Sequence, residues 1–407
     1  MNHNPCITID VSQNKSHIQG FLSLGKNLGK AKPIDHTISG YNQIITLVDS
    51  IKSITNQIPP IIFEYTGIYH KTLEEFLKRK NLYYHIVSPL RAAKSRKNDL
   101  RSVKTDKRDC LSLAKMFYND NLGVFTQSNN IYNELRYLNR YYENILLRQQ
   151  EIKVNFREIL SIIYPMYKCS KSNGFGAFIS FYSNESLNYL LHYPHPDYLL
   201  NDNKENFLIN YNSVSSKIHS SYGESTYYRL VDYCSNIIPG CDKNSNLIHT
   251  LVFYINQILY YEQELNDTLN KLHSLAKQVP YYDLIRSIPC VKENLASRIV
   301  AEIGDINKYH SYKALVAITG TDPIIYQSGD NNGFHLHISK KGNKHLRTLL
   351  YLIVNQMIKA ASIDSSIKEF YKKKTQQGLS KLAALIACCN KLIRIIYYMN
   401  KTGNAFI

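Results

Sequence analysis

Apolar and polar positions follow two different rhythms along this 407-residue chain. Up to about residue 125, short apolar runs of strand length alternate with stretches of helical period. Residues 6–10 and 17–22 read as two strands joined by a turn at 12–15, and 41–55 reads as a helix. Residues 61–64 read as a short buried strand, 70–80 as a helix after a Thr-Gly turn, and 83–87 as a strand stopped by Pro89. Strands alternating with helices predict an α/β layered domain over 1–125.

From Ile131 the period lengthens. Leu135, Leu138, Tyr142, Ile145 and Leu146 recur at helical spacing, and the pattern runs on through Ile159. A second long helix is expected over 247–277. Two long amphipathic helices separated in sequence can pair as an antiparallel coiled coil or dimerise, and an ordinary helical bundle fits the periodicity as well. Residues 126–280 are therefore read as a helical coiled-coil and dimerisation region, with a Ser-, Asn- and Tyr-rich insertion at 165–245 that carries little pattern. Residues 281–407 read as a mainly α-helical domain. There, 282–288 and 293–304 form a helix–turn–helix around Pro289-Cys290-Val291-Lys292, a Gly- and Lys-rich segment covers 320–343, and helices cover 344–361 and 379–399.

Charge narrows the partners. Lys and Arg number 49 against 32 Asp and Glu, a formal net charge of +17 that suits nucleic acid or an anionic membrane surface. No apolar run is read as long enough to span a bilayer, and the start lacks the basic-then-apolar pattern of a secretory leader. The expectation is a prokaryotic, cytoplasmic protein acting on nucleic acid, with no membrane partner. The eight cysteines form no CxxC pair; Cys234 and Cys241 near His249 fit no zinc spacing, and Cys388-Cys389 falls in an apolar helical run. All eight are read as reduced thiols. The 33 tyrosines are read as compositional bias.

Four carboxylates change the picture from binding to chemistry. Asp10 ends the apolar run Ile7-Thr8-Ile9, Glu64 ends Ile61-Ile62-Phe63, and Asp106 and Asp109 stand three apart. Strand-end acids and an i, i+3 pair on one helical turn can converge on a divalent cation. Mg²⁺ takes such hard oxygen ligands, Mn²⁺ can replace it, and paired ions assist phosphodiester chemistry. No nucleotide cofactor is expected. A basic run surrounds the second pair: Arg91, Lys94, Arg96, Lys97, Arg101, Lys104, Lys107 and Arg108. It would hold a phosphate backbone beside the metal. Taken singly, each acid is as well explained by helix capping or solvated surface charge.

The second candidate is Ser328, in Gln327-Ser328-Gly329, followed by Lys340, Lys341, Lys344 and Arg347. A serine hydroxyl is a weak nucleophile until a base or metal activates it, and no local histidine–carboxylate partner is apparent. Alone, Ser328 reads as a turn residue.

These segments together resemble the transposases of the insertion-sequence one-ten family, relatives of the Piv-type site-specific DNA invertases. The resemblance rests on Ile9-Asp10-Val11-Ser12, Glu64-Tyr65-Thr66-Gly67-Ile68-Tyr69 and Lys104-Thr105-Asp106-Lys107-Arg108-Asp109. It continues in Ile288-Pro289, Ala301-Glu302-Ile303-Gly304-Asp305, Gln327-Ser328-Gly329 and Ile338-Ser339-Lys340-Lys341-Gly342-Asn343 with Leu346-Arg347. It covers both ends of the chain and is weakest over 165–245. What the resemblance implies is an RNase H-like (RuvC-like) N-terminal domain whose DEDD metal ligands are Asp10, Glu64, Asp106 and Asp109. It also implies a transposase domain whose nucleophile is Ser328, forming a phosphoserine link to a cleaved DNA end and conserving bond energy without ATP. By the same resemblance a bridge RNA encoded by the mobile element pairs with donor and target DNA. Dimers joined through the coiled coil assemble into a tetramer, and the metal site and Ser328 come together between domains or protomers.

The chain departs from the family where Cys290-Val291-Lys292 replaces a Gly-rich hairpin, leaving Lys292 as the residue that would reach DNA. It departs also at Gly320-Thr321-Asp322-Pro323, and at Cys110, where a small Ala is common. Two other function classes remain: a junction-resolving nuclease that uses water, and a non-catalytic nucleic-acid-binding protein.

Overall fold

The computed structural model describes residues 4–65, 67–87, 92, 106–119, 122, 130–167, 178, 180–214, 220–322, 327–328, 331–332, 337–360 and 365–406. The chain divides into two compact units, Met1–Gln127 and Ser128–Ile407.

The first unit is built on five strands: β1 (Cys6–Val11), β2 (Lys15–Ser23), β3 (Lys26–Asp35), β4 (Ile61–Glu64) and β5 (Tyr84–Val87). Their order is β3-β2-β1-β4-β5. The first three meander antiparallel, whereas β4 runs parallel to β1 and β5 parallel to β4. The parallel strands are linked by α1 (Ile38–Thr55) and α2 (His70–Arg79). β1 is covered on both faces, which explains its continuous burial. Ile7, Ile9, Ile61 and Phe63 pack with Ile44, Val48 and Leu73 of α1 and α2. Cys6 and Ile62 pack with Leu113, Ala114 and Phe117 of α3 (Asp106–Tyr118).

β3 is absent from the sequence-based expectation. Its side chains are mostly exposed, it contains Gly29 and Pro33, and it has no apolar alternation to reveal it. It is an edge strand whose only strand partner is β2, with Ile34 reaching the core. Gly40 lets α1 start against its end, because a Cβ there would lie 2.1 Å from the Asp35 carbonyl oxygen.

The second unit is helical. The long helices Asn130–Ile163 and Asn246–Ala276 pack antiparallel within the chain. Leu135 joins Leu272 and Ala276 in one core, Tyr142 and Ile145 join Leu265 in another, and Phe156 and Leu160 join Leu251 and Ile255 in a third. At the third, the stretch that carried little pattern folds as helices Asn184–His192, Pro196–Leu200, Lys204–Val214 and Ser220–Ser235. Its core is aromatic: Tyr164, Tyr189, Tyr193, Tyr233 and Phe207 are buried together. The hydroxyl of Tyr164 donates to the Tyr193 carbonyl, and that of Tyr233 to the Pro165 carbonyl. Tyrosine thus supplies apolar area while its hydroxyl finds a partner, so at these positions it is structural.

At the other end, helices Tyr282–Arg286, Glu293–Ile303, Tyr312–Thr319, Lys344–Lys359, Ser366–Gln376 and Lys381–Thr402 enclose the largest core. One expectation is corrected here. Lys381–Thr402 is long and apolar enough, by length and composition, to cross a bilayer. Half of its apolar window is buried, and Cys388, Cys389, Leu392 and Ile393 sit in the protein core. In the turn before Glu293–Ile303, Cys290 adopts φ +66°, the left-handed region.

A buried carboxylate ties three of these helices. Glu302, 1% exposed, accepts from Asn139 Nδ2 at 2.8 Å and from Asn343 Nδ2 at 2.6 Å. Arg140 Nε lies 3.6 Å away, and Arg298 Nε holds the other end of Asn139 at 2.9 Å. Asn343 also caps Lys344–Lys359, accepting from the backbone N–H groups of His345 and Leu346.

Glu302→Ala leaves the buried Asn139 amide without its acceptor and Asn343 with only the Glu302 backbone carbonyl, and we expect a loss of roughly 1–3 kcal/mol in urea unfolding; a loss under about 0.5 kcal/mol would remove the network from the stability account. Cys290→Gly relieves the left-handed strain and should raise stability by about 1 kcal/mol. A fall instead would mean that Cys290 packing outweighs the strain.

Candidate functional site

In the first unit, strand register assembles the acids. β1 and β4 pair Ile7 with Ile61, Thr8 with Ile62 and Ile9 with Phe63. Asp10 and Glu64 each follow the last of these pairs by one residue, so they continue the same alignment at the C-terminal ends of the two strands. Across β1 on the other side, Asp10 pairs directly with His17 of β2. Side chains opposite each other share a face, so His17, Asp10 and Glu64 form one row. That row lies on the face of Cys6, Thr8 and Ile62, the face against which α3 packs.

α3 runs antiparallel to β1. Cys6 Sγ donates to the Tyr118 hydroxyl at 3.7 Å, and Cys110 Sγ donates to the His17 carbonyl at 3.3 Å. The eight helical residues between Cys110 and Tyr118 rise about 12 Å, and the four strand residues between Cys6 and Asp10 about 13 Å, so the two elements match end to end. Asp109 therefore reaches the Asp10 end of the sheet, where it is 7% exposed. Asp10 and Asp109 both act electrostatically on the Cys110 thiol, which burial, the larger cause, pushes up to about 12. Asp106 opens α3 one turn before Cys110, on the same helical face as Asp109. Its side chain lies outside the described residues.

The carboxylates Asp10, Glu64 and Asp109 thus come to one edge, at the C-terminal ends of β1 and β4. Their oxygens are the donor type that Mg²⁺ or Mn²⁺ prefers. Among the described residues, no three His, Cys, Asp or Glu side chains close tightly enough around a point to hold an ion by themselves. Of the basic flank, Arg91, Lys94, Arg96, Lys97, Arg101 and Lys104 lie outside the described residues, and Lys107 and Arg108 are described only as α3 backbone. Sequence reasoning did not single out His17, although the hairpin it expects, with its turn at 12–15, already sets residue 17 opposite Asp10.

In the second unit, Gln327–Ser328 pairs antiparallel with Asn331–Asn332, Ser328 opposite Asn331. The Ser328 side chain lies outside the described residues. The described residues that flank this segment in sequence are tightly bonded to each other. Ser339 N–H donates to the Asp322 carbonyl at 2.8 Å, and Ser339 Oγ to Asp322 Oδ1 at 2.9 Å. Lys340 N–H reaches the Gly320 carbonyl at 3.0 Å, and Asn343 N–H the Ile318 carbonyl at 2.6 Å. Gly342 is demanded by that approach, since a Cβ there would sit 2.2 Å from the Ile318 carbonyl oxygen. Lys340, Lys341 and Lys344 are exposed around these bonded stretches, and Lys292 is exposed before Glu293–Ile303. Arg347 instead donates to the Thr319 carbonyl at 2.8 Å and so ties these stretches to the helix before them.

Comparison with known proteins matches residues 7–165 to an IS110 transposase domain of the DEDD type, described as "Transposase". Residues 282–372 match the domain described as "Transposase IS116/IS110/IS902 family". The chain is 29% identical over 141 residues to the transposase for insertion sequence element IS1111A of Coxiella burnetii, covering 35% of this chain and 38% of that protein. It is 27% identical over 123 residues to the pilin gene-inverting proteins of Moraxella bovis and Moraxella lacunata, covering 30% of this chain and 38% of each relative. The chain thus spans under two fifths of the length of these relatives.

The packing of α3 can be checked by thiol labelling at pH 8. Cys6, Cys110 and Cys389 are all pushed to about 12 by burial, so about one thiol in ten thousand is ionised there. They should resist iodoacetamide in the folded protein and react on denaturation. Fast native labelling of Cys110 would mean that α3 does not pack on β1.

Proposed function

The chain carries both transposase domains of the IS110 family, and from this we propose that it is a DNA recombinase that cleaves and rejoins strands by metal-dependent serine chemistry. The observation that carries this reading is the gathering of Asp10, Glu64 and Asp109 at one sheet edge, with Asp106 one turn away on α3. The meander followed by two parallel strands supports an RNase H-like domain.

Asp10, Glu64, Asp106 and Asp109 would hold Mg²⁺, or Mn²⁺ in its place. The ion supplies charge stabilisation at a backbone phosphate and makes a hydroxyl a better nucleophile. Ser328 Oγ attacks that phosphate. An O–P bond forms to the serine as the P–O bond to the leaving deoxyribose breaks, and the serine proton passes to the released strand hydroxyl. Rejoining reverses the step with a different strand hydroxyl, so no external energy source is needed. The bonded stretches that flank the serine segment support this role, because a nucleophile needs a fixed base. Lys340, Lys341 and Lys344 would steady the phosphate backbone, as would Lys292 and the basic run before α3.

Donor and target DNA are the substrates in this reading. A bridge RNA would choose the sequence by pairing, and homodimers assembling to a tetramer would bring the DNA ends together. The antiparallel long helices leave Tyr137, Leu147 and Tyr260 exposed, which supports such self-association.

The test incubates the full chain with Mg²⁺, donor DNA and RNA transcribed from the flanking non-coding segment. A denaturant-resistant protein–DNA adduct is expected. Ser328→Ala should abolish it, and Asp109→Ala should lower its formation by about 100-fold or more. Chelation should stop the reaction, and added Mg²⁺ or Mn²⁺ should restore it. Full cleavage by Ser328→Ala without an adduct would point to a water-using nuclease. Tight, salt-sensitive binding with no cleavage would point to a binding protein.

A further inference from the structure

We infer that His17 is a positioning residue for Asp10, donating a hydrogen bond to one carboxylate oxygen so that the other faces the cation shared with Glu64. This rests on the acidic edge being the metal site proposed above. The pairing of β1 with β2 runs without interruption from Cys6 opposite Phe21 to Val11 opposite Ser16. No bulge therefore re-aims His17, whereas the β2–β3 pairing slips twice. Directly opposed residues of an antiparallel pair hold their Cβ atoms about 4.5–5.5 Å apart on one face, within imidazole reach of a carboxylate.

Asp10 is thus flanked in one row by Glu64 on β4 and His17 on β2. On its far side His17 pairs with Pro33 of β3, which has no ionisable group. The backbone of His17 is itself fixed to α3, through the Cys110 thiol on its carbonyl. α3 carries Asp109, so strand, histidine and acidic helix are tied at one point.

The chemistry suits the position. Two carboxylates side by side repel each other, and an unrestrained Asp10 would turn away from Glu64. An imidazole N–H restrains one oxygen without setting a lysine-like fixed charge against an incoming cation. Hydrogen-bond partners behind metal-ligating groups commonly account for about 10–100-fold in metal affinity.

The test is metal binding by the full chain without DNA, read by isothermal calorimetry with Mn²⁺. His17→Ala should weaken binding about 10–100-fold. His17→Val, with a strand-favouring side chain and no donor, should do the same and guards against loss of the fold. His17→Gln, whose amide N–H reaches a similar point, should recover most of the affinity. Glu64→Ala serves as the comparator that loses a direct ligand. Affinity of His17→Ala and His17→Val within about twofold of the parent overturns the inference. So does failure of His17→Gln to recover affinity while its thermal unfolding matches the parent. Electron spin-echo spectroscopy of bound Mn²⁺ should show no directly bound nitrogen; a directly coordinated nitrogen lost in His17→Gln would make His17 a ligand and overturn the positioning role. If the parent chain binds no Mn²⁺ at all, the metal-site reading fails, a different outcome from an unaffected His17 variant.

Discussion

The first unit depends on the double burial of β1. With α1 and α2 against one face and α3 against the other, β1 cannot slip by one residue without turning Ile7 and Ile9 out of one core and Cys6 and Thr8 out of the other. The hydrophobic cost of such a slip, several buried side chains at about 1.5–3 kcal/mol each, holds the register. The register then does chemical work at no further cost. It sets Asp10 beside Glu64 and opposite His17, and it gives α3 a strand of matching length to lie along. A carboxylate at a strand end is ordinary alone; brought near a second and a third, it becomes the candidate proposed above.

The second unit solves a different problem. The stretches flanking its serine segment, 318–322 and 339–343, are bonded to each other, and this clamp needs a foundation. Glu302 provides it. By accepting from Asn343 it fixes the residue that caps Lys344–Lys359 and whose own N–H closes the clamp on Ile318. By accepting from Asn139 it ties the same point to the long helix Asn130–Ile163. Glu143 extends the tie, bonding His345 and Arg298. Burying a carboxylate is expensive, and it is tolerated here because two amides donate to it and the Arg140 guanidinium lies nearby. The motif Ala301-Glu302-Ile303-Gly304-Asp305 and the motif ending in Asn343 are thus two halves of one contact.

Much of this was legible from residue order, for reasons particular to each element. β1 and β4 were readable because buried strands are continuous apolar runs, and the long helices because their apolar stripes repeat over several turns. β3 was not, because an edge strand needs only backbone pairing and Lys26–Asp35 has no apolar face to show. The tyrosine-rich stretch was opaque because Tyr164, Tyr189 and Tyr233 act as core residues whose hydroxyls find distant acceptors, a property that no local window contains. Lys381–Thr402 is legible as a helix but not as one long and apolar enough to cross a bilayer, because Lys391 and Arg394 interrupt its apolar run.

The sequence by itself determined most of the element types and the basic character, which are properties of residue kind and spacing, while the five residues put forward for catalysis came from its resemblance to a transposase family. Tertiary structure alone decided that Asp10, Glu64 and Asp109 share one edge, that His17 joins their row, and that Glu302 underlies the clamp flanking the serine segment. Apart from the Asp10–His17 hairpin pair, these rest on contacts between residues tens to more than a hundred positions apart. Such contacts are set by register and by helix packing, whose energies are spread over whole faces and leave no mark on any short stretch of chain.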